Sequence, residues 1–579
     1  MRSAPPAPPA PHRSPRRRIT VLMGACVIVV TLLAGRLIEL QAVTAEGTAS
    51  VAESQRTRTT VETADRGRIL DARGAVLATS VVARNITADQ TLVTDPGAVA
   101  AALAPILGAD QLDLEAELTG TKRFVYLALG VSPAVWEQVS ALGLAGILSE
   151  STTRRDYPAG NLAANVVGFV GRDGRGLGGL EYGLQDVLAG VDGQVTYEVA
   201  GGGRRIPTGQ EQGTVAVPGS DVTLTIDRDI QWAAQAAIVK RVREADADGG
   251  TVVVMDPATG KILALASAPT FDPNDPGASS AIDRNNRALS EAFEPGSTSK
   301  VMTMAAALEE GRVVPSTRIV VPPSLTRSDK VFYDHDNHPT EHLTLTGVLA
   351  KSSNIGTILV AERVGNRKLY GYLKNFGIGQ RTGIGFPGEA RGFLPLVSTW
   401  FGTTASTIAF GQGISVNSVQ AASVYATIAN DGVRVTPSLV ASTTDPDGIV
   451  HPAPVTAGTR VISTKTASTL RAMMESVVSD AGTASVARIP GYRVAGKTAT
   501  AQRYDPECRC YKGYVASFIG MAPADNPRLV VAVSIINPRN GHYGGVEAGP
   551  VFKSVMSFAL QATRTPPSSN RPPVMRLTW

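Results

Sequence analysis

Hydrophobic and polar positions divide the chain into one long apolar run followed by alternating strand and helix patterns. Residues 19–35 (ITVLMGACVIVVTLLAG) carry no charged side chain, and their number meets the lower length limit for a membrane-spanning helix. Leu37, Ile38 and Leu40 can extend the run. We therefore predict one transmembrane helix over residues 19–40, and no second run of this kind follows in the sequence.

A segment rich in proline and arginine precedes this span. Residues 1–18 are expected to form a disordered, basic, cytoplasmic tail. Its arginines lie just before the apolar run, and the positive-inside rule then sends the rest of the chain across the membrane. The alternative is a cleaved signal peptide with a weak cleavage site at 43–45, but the run is long for such a peptide and we favour the retained anchor.

The region after the span, residues 45–215, alternates strand-like segments with turns and short helices. We predict strands at Thr57–Glu62, 81–86 and 123–127, and a helix that begins after Asp95. Residue types that could form a catalytic cluster do not gather here. The region is therefore interpreted as a mixed, strand-rich pedestal or dimerisation domain.

Residues 216–565 mix strands and longer helices, which indicates an α+β domain. The sequence Asp-Pro-Ala-Thr-Gly between the predicted strands 251–255 and 261–267 predicts a hairpin. Further strands are predicted at 492–502, 515–521 and 529–536. The remaining residues, 566–579, are expected to be a flexible tail.

Composition narrows the class of protein only slightly. The 579 residues are 43% hydrophobic and carry a net charge of +5, and the sequence shows no basic stripe with interleaved aromatic residues, so nucleic-acid binding is not expected. The three cysteines are Cys26, Cys508 and Cys510. We expect the last two to be free thiols in a loop, with a strained disulfide as the alternative.

Three short motifs carry the candidate chemistry. Ser297 and Lys300 lie three residues apart at a predicted helix start, so they share one face of that helix. Taken alone, this pair also describes a capping serine and a solvated lysine. However, Ser352-Ser353-Asn354 follows at a second helix start, and 497–500 (Lys-Thr-Ala-Thr) follows on a predicted strand. The three motifs in this order point to acyl transfer.

Acyl transfer requires what these residues can supply. Ser297 is the candidate nucleophile, and Lys300 is the candidate base if desolvation and the helix dipole lower its pKa. Ser352 can relay a proton to the leaving amine. The candidate substrate-binding residues are Asn354 for a peptide amide and Lys497, Thr498 and Thr500 for a substrate carboxylate and the neighbouring backbone. The backbone N–H groups of Ser297 and Thr500 are the candidate oxyanion hole.

The motif set resembles that of the class B penicillin-binding proteins. Segments at 66–71 (RGRILD), 179–181 (GLE) and 411–416 (GQGISV) are also similar to that family, and the resemblance spans roughly residues 36–565. It implies a penicillin-binding transpeptidase fold, in which an antiparallel sheet is flanked by helices, preceded by the pedestal domain and one transmembrane helix. No cofactor and no metal are implied.

The resemblance also implies an activity. Ser297 attacks a D-Ala-D-Ala stem peptide, releases the terminal D-alanine and transfers the acyl group to a second stem peptide. β-Lactams are expected to acylate the same serine, and the partners are expected to be a SEDS-family glycan polymerase and cell-division proteins in the membrane. General similarity favours the division branch over an elongation-specific enzyme.

One position departs from the family pattern. Ala499 stands where the third motif usually has glycine, and its methyl group could crowd the acyl pocket. We expect the chemistry to be retained with an altered fit for substrates or β-lactams. A catalytically weak scaffold protein is the alternative that this residue suggests.

Other interpretations have less support in the sequence. Asp334, His335, His338 and His342 could ligate zinc, but we interpret this segment as a surface hairpin. A β-lactam hydrolase is disfavoured by the anchor and the pedestal, and no residue is assigned to activate a deacylating water. A glycosyltransferase domain is disfavoured because residues 45–215 lack a cluster of paired carboxylates.

Overall fold

The structure is a computed structural model that describes residues 15–43, 56–200, 205–505 and 508–579. The strands in chain order are β1 Thr57–Glu62, β2 Ile69–Leu70, β3 Val76–Ala88, β4 Val125–Val131, β5 Ile147–Asp156, β6 Gly193–Glu198, β7 Glu211–Thr214, β8 Asp221–Leu224, β9 Gly249–Met255, β10 Ile262–Ala268, β11 Arg318–Val321, β12 Leu325–Arg327, β13 Lys330–Phe332, β14 Glu341–Thr344, β15 Val433–Arg434, β16 Val440–Thr444, β17 Val450–Pro452, β18 Thr459–Arg460, β19 Ala495–Asp505, β20 Cys510–Ala522 and β21 Leu529–Ile536.

The α-helices in chain order are α1 Pro15–Ile38, α2 Pro96–Leu107, α3 Gln111–Leu118, α4 Pro133–Ala141, α5 Ala164–Val167, α6 Gly179–Gly183, α7 Gln185–Leu188, α8 Arg228–Glu244, α9 Ala281–Arg284, α10 Arg287–Ser290, α11 Lys300–Glu309, α12 Leu345–Ala350, α13 Asn354–Val364, α14 Asn366–Asn375, α15 Thr404–Ala409, α16 Ser418–Ala429, α17 Thr464–Glu475, α18 Gly544–Glu547 and α19 Gly549–Ala562.

One compact unit comprises residues 1–64 and 191–217. Its α1 begins four residues before the predicted span, and a π-helical turn, Glu39–Val43, continues it. An 18-residue window of this helix has a mean hydropathy of 2.4, so α1 is long and apolar enough to cross a membrane. The first 14 residues of the predicted basic tail lie outside the described residues. Strand β1, which has the predicted bounds, pairs antiparallel with β6, and β7 follows on the other side of β6.

The other unit comprises residues 65–190 and 218–579. In its first part β3 pairs antiparallel with both β4 and β5, which confirms the strands predicted at 81–86 and 123–127. Asp95 caps α2, since its Oδ1 accepts a hydrogen bond from the N–H of Ala98 at 3.0 Å. The sheet continues in the order β17-β16-β8-β2-β3-β4. Segments 65–190 and 218–579 therefore share one sheet.

A buried ion-pair network holds the segments of this first part together. Glu181 is fully buried; its Oε2 accepts a hydrogen bond from Arg66 at 2.6 Å and its Oε1 accepts one from Arg155 at 2.7 Å. The Tyr157 hydroxyl lies 3.4 Å from Oε1. Since a buried charge requires compensating partners, these contacts make Glu181 a structural residue.

The central sheet of the second unit has the strand order β10-β9-β21-β20-β19, and every neighbouring pair is antiparallel. The predicted hairpin joins β9 to β10. Gly250 lies against Ile238 of α8, whereas the Thr251 hydroxyl bonds to Ser418 of α16. Because adjacent strand residues face opposite sides, α8 and α16 cover opposite faces. This leaves β19 at one edge of the described sheet.

Candidate active site

The turn that carries Ser297 lies against β19. Gly296–Ser299 forms a 3-10 turn that leads into α11, so the predicted helix start is correct but its first turn is tighter than an α-helix. Gly296 has φ +51°, and a Cβ there would approach the Cβ of Ala501 to 2.9 Å. Glycine is therefore required by both conformation and space.

Side-chain hydrogen bonds explain the tight turn. The Thr298 hydroxyl donates to the carbonyl of Pro295 at 2.7 Å, and the Ser299 hydroxyl donates to that of Gly296 at 2.8 Å. Both side chains are buried. The Ser297 hydroxyl is half-buried and has no hydrogen-bond partner among the described residues, so it is left available for an external group.

Lys300 is fully buried. Its Nζ donates to the carbonyl of Ser352 at 2.5 Å and to Oδ1 of Asn354 at 2.8 Å, and it lies 3.3 Å from the Ser352 Oγ. Burial lowers the pKa of Lys300 to about 7, and the carboxylate of Asp334 acts in the opposite direction. A substantial fraction of this amine is therefore neutral near neutral pH.

Ser352 and Asn354 lie in the connection between α12 and α13. Ser352 has φ +61°, a left-handed conformation that is rare for residues other than glycine. Ser353 caps α13, since its Oγ accepts a hydrogen bond from the N–H of Gly356 at 2.8 Å. The Asn354 amide donates to the carbonyl of Tyr333 at 3.1 Å. The loop is thus held from both sides.

Asp334 is a residue of this site that the sequence analysis missed, because it considered Asp334 only as a metal ligand. Its Oδ2 accepts a hydrogen bond from the Ser353 hydroxyl at 2.6 Å, and its Oδ1 accepts one from the N–H of Ile355 at 2.9 Å. His338 Nε2 lies 3.2 Å from Oδ2. An acidic side chain near the start of α13 is also favoured by the helix dipole.

The three histidines considered for zinc have separate partners. His335 packs edge-on against Tyr543, and His342 packs edge-on against Trp579, whereas His338 pairs with Asp334. Among the described residues, no three His, Cys, Asp or Glu side chains are grouped so that they could hold a metal ion.

Lys497 approaches the same serine from β19. It is fully buried, and its Nζ donates to the Ser352 Oγ at 2.8 Å and to the carbonyl of Thr498 at 3.1 Å. Burial lowers the pKa of Lys497 well below its ordinary value, and the charge of Lys300 lowers it further. Two buried amines therefore meet at one hydroxyl, which brings the three sequence motifs together.

The two threonines of the third motif have partners that the sequence analysis did not identify. The Thr498 hydroxyl lies 2.8 Å from the hydroxyl of Thr483. The Thr500 Oγ1 accepts a hydrogen bond from the N–H of Gly544 at 3.1 Å. Both contacts join β19 to segments remote in sequence, so no local pattern marks them.

Ala499 is buried, and its methyl group faces the serine turn. A Cβ placed on Gly296 would lie 3.7 Å from the Cβ of Ala499. The methyl group of Ala499 therefore lies beneath Gly296, the residue that precedes Ser297.

The expectation of two free thiols near this site is wrong. Cys508 and Cys510 form a disulfide, and their Cα atoms are 5.2 Å apart, within the usual range for such a bond. Cys508 lies between β19 and β20, and Cys510 is the first residue of β20, paired with Asp505 of β19. Next to it, the Tyr511 hydroxyl donates to Oε1 of Glu294 at 3.0 Å. Cys26, on α1, is an exposed free thiol.

Comparison with known proteins agrees with this fold. Residues 250–557 match the family model of the penicillin binding protein transpeptidase domain, and residues 61–224 match that of the penicillin-binding protein dimerisation domain. The chain is 38% identical over 592 residues to penicillin-binding protein PbpB of Mycolicibacterium smegmatis, and the match covers 96% of this chain and 91% of that protein.

Two further similarities point the same way. The chain is 32% identical to peptidoglycan D,D-transpeptidase FtsI of Escherichia coli, over 95% of this chain and 93% of that protein. It also matches the crystal structure of penicillin-binding protein 3 from Mycobacterium tuberculosis complexed with aztreonam, with a TM-score of 0.71 and 33% identity over 90% of this chain and 100% of that one. The chain belongs to the class B penicillin-binding proteins.

Proposed function

We propose that this protein is a serine-type D,D-transpeptidase that cross-links peptidoglycan stem peptides. Ser297 is the nucleophile, Lys300 is its base, and Ser352 with Lys497 completes the proton path. The observation that carries the proposal is the meeting of Lys300 and Lys497 at the Ser352 hydroxyl, with the unengaged Ser297 hydroxyl at the start of α11. The name of the Escherichia coli relative supports the same activity.

In the first half-reaction the Ser297 Oγ attacks the carbonyl carbon between the two D-alanines of a stem peptide. Neutral Lys300 accepts the hydroxyl proton, and its pKa of about 7 suits this role. The backbone N–H groups of Ser297 and Thr500 stabilise the oxyanion. The C–N bond then breaks, and an acyl-enzyme ester and free D-alanine are formed.

The leaving amine requires a proton, and Ser352 is positioned to relay it. Its hydroxyl oxygen accepts a hydrogen bond from Lys497, which leaves the hydroxyl proton free to be shared with Lys300 or with the departing nitrogen. In the second half-reaction the amine of a second stem peptide attacks the ester, loses a proton along the same path and restores Ser297.

Substrate binding uses the remaining motif residues. Asn354 holds a peptide amide beside Ser352, and Lys497, Thr498 and Thr500 bind the substrate carboxylate and the backbone of the donor peptide along the edge of β19. A β-lactam resembles this donor and acylates Ser297 in the same way. A crystal structure of a relative with aztreonam supports this expectation.

The decisive experiment measures covalent labelling. The full-length protein in detergent is expected to form a stable adduct with a fluorescent penicillin and to release D-alanine from a stem-peptide substrate when an acceptor amine is present. Ser297→Ala is expected to abolish both, whereas Ser468→Ala, at an exposed position of α17, should remain labelled. An unlabelled wild-type protein, or rapid release of the label, would refute the transpeptidase.

We further propose a single-pass membrane protein with the N-terminus in the cytoplasm and the catalytic domain outside. The apolar helix α1 supports the anchor, and the arginines before residue 19 support the orientation. The proposed partners are a SEDS-family glycan polymerase and division proteins in the membrane. A fluorescent fusion at the septum of dividing cells is the expected result, and uniform labelling of the lateral wall would favour the elongation branch.

A further inference from the structure

Residues 575–579, which we call the clasp, lie beside β14, where Thr578 forms an isolated antiparallel β-bridge with Leu343. The N–H of Thr344 donates to the carbonyl of Leu577 at 2.9 Å, and the N–H of Trp579 donates to the carbonyl of His342 at 3.1 Å. The opposite edge of β14 pairs antiparallel with β11. The segment expected to be a flexible tail therefore ends in a short extended stretch that is hydrogen-bonded to β14.

Trp579 anchors the clasp through its side chain. The indole Nε1 donates to the carbonyl of Leu343 at 3.1 Å. The ring packs edge-on against His342 with centroids 4.7 Å apart, and the guanidinium of Arg318 lies 4.7 Å from the ring centre. Trp579 remains 44% exposed. These contacts are specific and lie at the surface, as in strand-addition recognition of peptides.

The clasp also lies on the first turn of α12. A Cβ on Gly347 would come within 1.9 Å of the carbonyl oxygen of Leu577, so only glycine permits this approach. The Thr344 hydroxyl donates to the carbonyl of Arg576 at 2.6 Å and accepts a hydrogen bond from the N–H of Gly347 at 3.0 Å. One side chain thus caps α12 and holds the clasp.

Helix α12 leads directly into the loop of Ser352. The N–H of Lys351 donates to the carbonyl of Gly347 at 2.9 Å, and that of Ser353 donates to the carbonyl of Val348 at 3.0 Å. Between them Ser352 has the left-handed φ of +61°. Such a conformation persists only where its surroundings impose it, and the clasp packs on the opposite end of the helix that leads into it.

We propose that the clasp positions the catalytic loop. By pairing with β14 and packing on the first turn of α12, it holds Ser352 and Asn354 where Lys300 and Lys497 can reach them. Trp579 is a positioning residue and touches none of the reacting atoms. This inference rests on the proposed acylation of Ser297, because acylation is the activity on which the position of Ser352 acts.

The test deletes residues 575–579 from the full-length protein and measures the acylation rate with a fluorescent penicillin. The rate constant is expected to fall about tenfold, equivalent to about 1.4 kcal/mol of transition-state stabilisation. The synthetic peptide Met-Arg-Leu-Thr-Trp, blocked at both ends, should restore the rate in a saturable manner. Val574→Ala is the matched control, because the side chain of Val574 is fully exposed.

A second pair of variants covers the case in which the deletion variant does not fold. Trp579→Ala should lower the rate, and Trp579→Phe should recover part of it because the ring contacts remain. A folded deletion variant that acylates within about twofold of the full chain would overturn the inference. So would a slow deletion variant that the peptide does not rescue, or Trp579→Ala acylating as fast as the parent. An intact protein that is never labelled would instead refute the proposed function.

Discussion

Two clusters of buried ionisable side chains, around Glu181 and around Ser352, are compensated in different ways. Around Glu181, the carboxylate accepts hydrogen bonds from two arginines, Arg66 and Arg155. Around Ser352, Lys300 and Lys497 are both fully buried, and their hydrogen bonds go to neutral oxygens. In the described residues, no carboxylate forms an ion pair with either lysine.

This difference separates a structural cluster from a reactive one. A buried ion pair keeps its charges because each partner compensates the other, and removal of one partner leaves an uncompensated charge. A buried amine without a counter-charge instead has a lowered pKa, so that more of it is in the neutral form. A neutral Lys300 is the form that the proposed base role requires, so the missing counter-charge at this lysine favours function at the expense of stability.

The largest expected effect comes from Lys300→Met. Loss of the base should lower the rate of acylation about 100- to 10,000-fold. The melting temperature should not fall, because removal of a buried amine relieves its desolvation and offsets the lost hydrogen bonds. Stopped-flow labelling and thermal unfolding measure the two quantities. The control is Lys374→Met on the exposed face of α14. A severe loss of stability in Lys300→Met would contradict the claim that the buried lysine does not stabilise the fold.

Glu181→Gln should have the opposite effect and lower the stability of the fold while leaving the acylation rate nearly unchanged. The amide cannot compensate Arg66 and Arg155, so the free energy of unfolding should fall by about 3–5 kcal/mol. Acylation of the molecules that remain folded should be nearly unchanged at low temperature. Denaturant unfolding checks the first point and fluorescent labelling the second. Glu137→Gln, an exposed position on α4, is the control, and an equally stable Glu181→Gln would contradict a structural role.

The acylation rate should also depend on pH in a way that follows from Lys300. Its pKa is about 7, and the neutral amine is the active form. The rate should therefore rise about tenfold per unit as the pH increases toward 7 and level off above it. The pH profile of fluorescent labelling measures this, with thermal melts at each pH as the control. A rate that does not change between about pH 5 and about pH 8 would show that the base is another group.

The reactive cluster could be predicted from sequence because its motifs are local. The spacing of Ser297 and Lys300 and the order of the three motifs indicated the residues that meet at Ser352. Strands β1, β3 and β4, the strands of the central sheet, the β9–β10 hairpin and the cap at Asp95 were also predicted, since the pattern of each is local.

Contacts between distant segments could not be predicted in this way. Asp334 reaches Ser353 and Thr483 reaches Thr498 only because the fold brings separate elements together. The clasp was interpreted as a flexible tail because its short sequence has no periodicity, and its order comes from the edge of β14. The disulfide was named only as the disfavoured alternative, because the sequence alone does not show that the start of β20 brings Cys510 close to Cys508.

The smallest expected effect belongs to Ala499→Gly. Ala499 lies on β19, two residues after Lys497, and packs against the serine turn. The methyl group of Ala499 faces Gly296, so its removal leaves a small gap beneath the turn and loosens the position of Ser297. Glycine also adds freedom to β19. We expect the acylation rate to change by about two- to fivefold, since a few tenths to about 1 kcal/mol is a typical effect of one methyl group. The change should differ between penicillins with small and large side chains. Second-order rate constants for a panel of fluorescent β-lactams measure this. Ala516→Gly on the neighbouring strand β20 is the matched control, because Ala516 is also a buried alanine but is paired with Thr500 and does not lie against Gly296. Unchanged rates for every compound would show that the pocket is not tuned at this position.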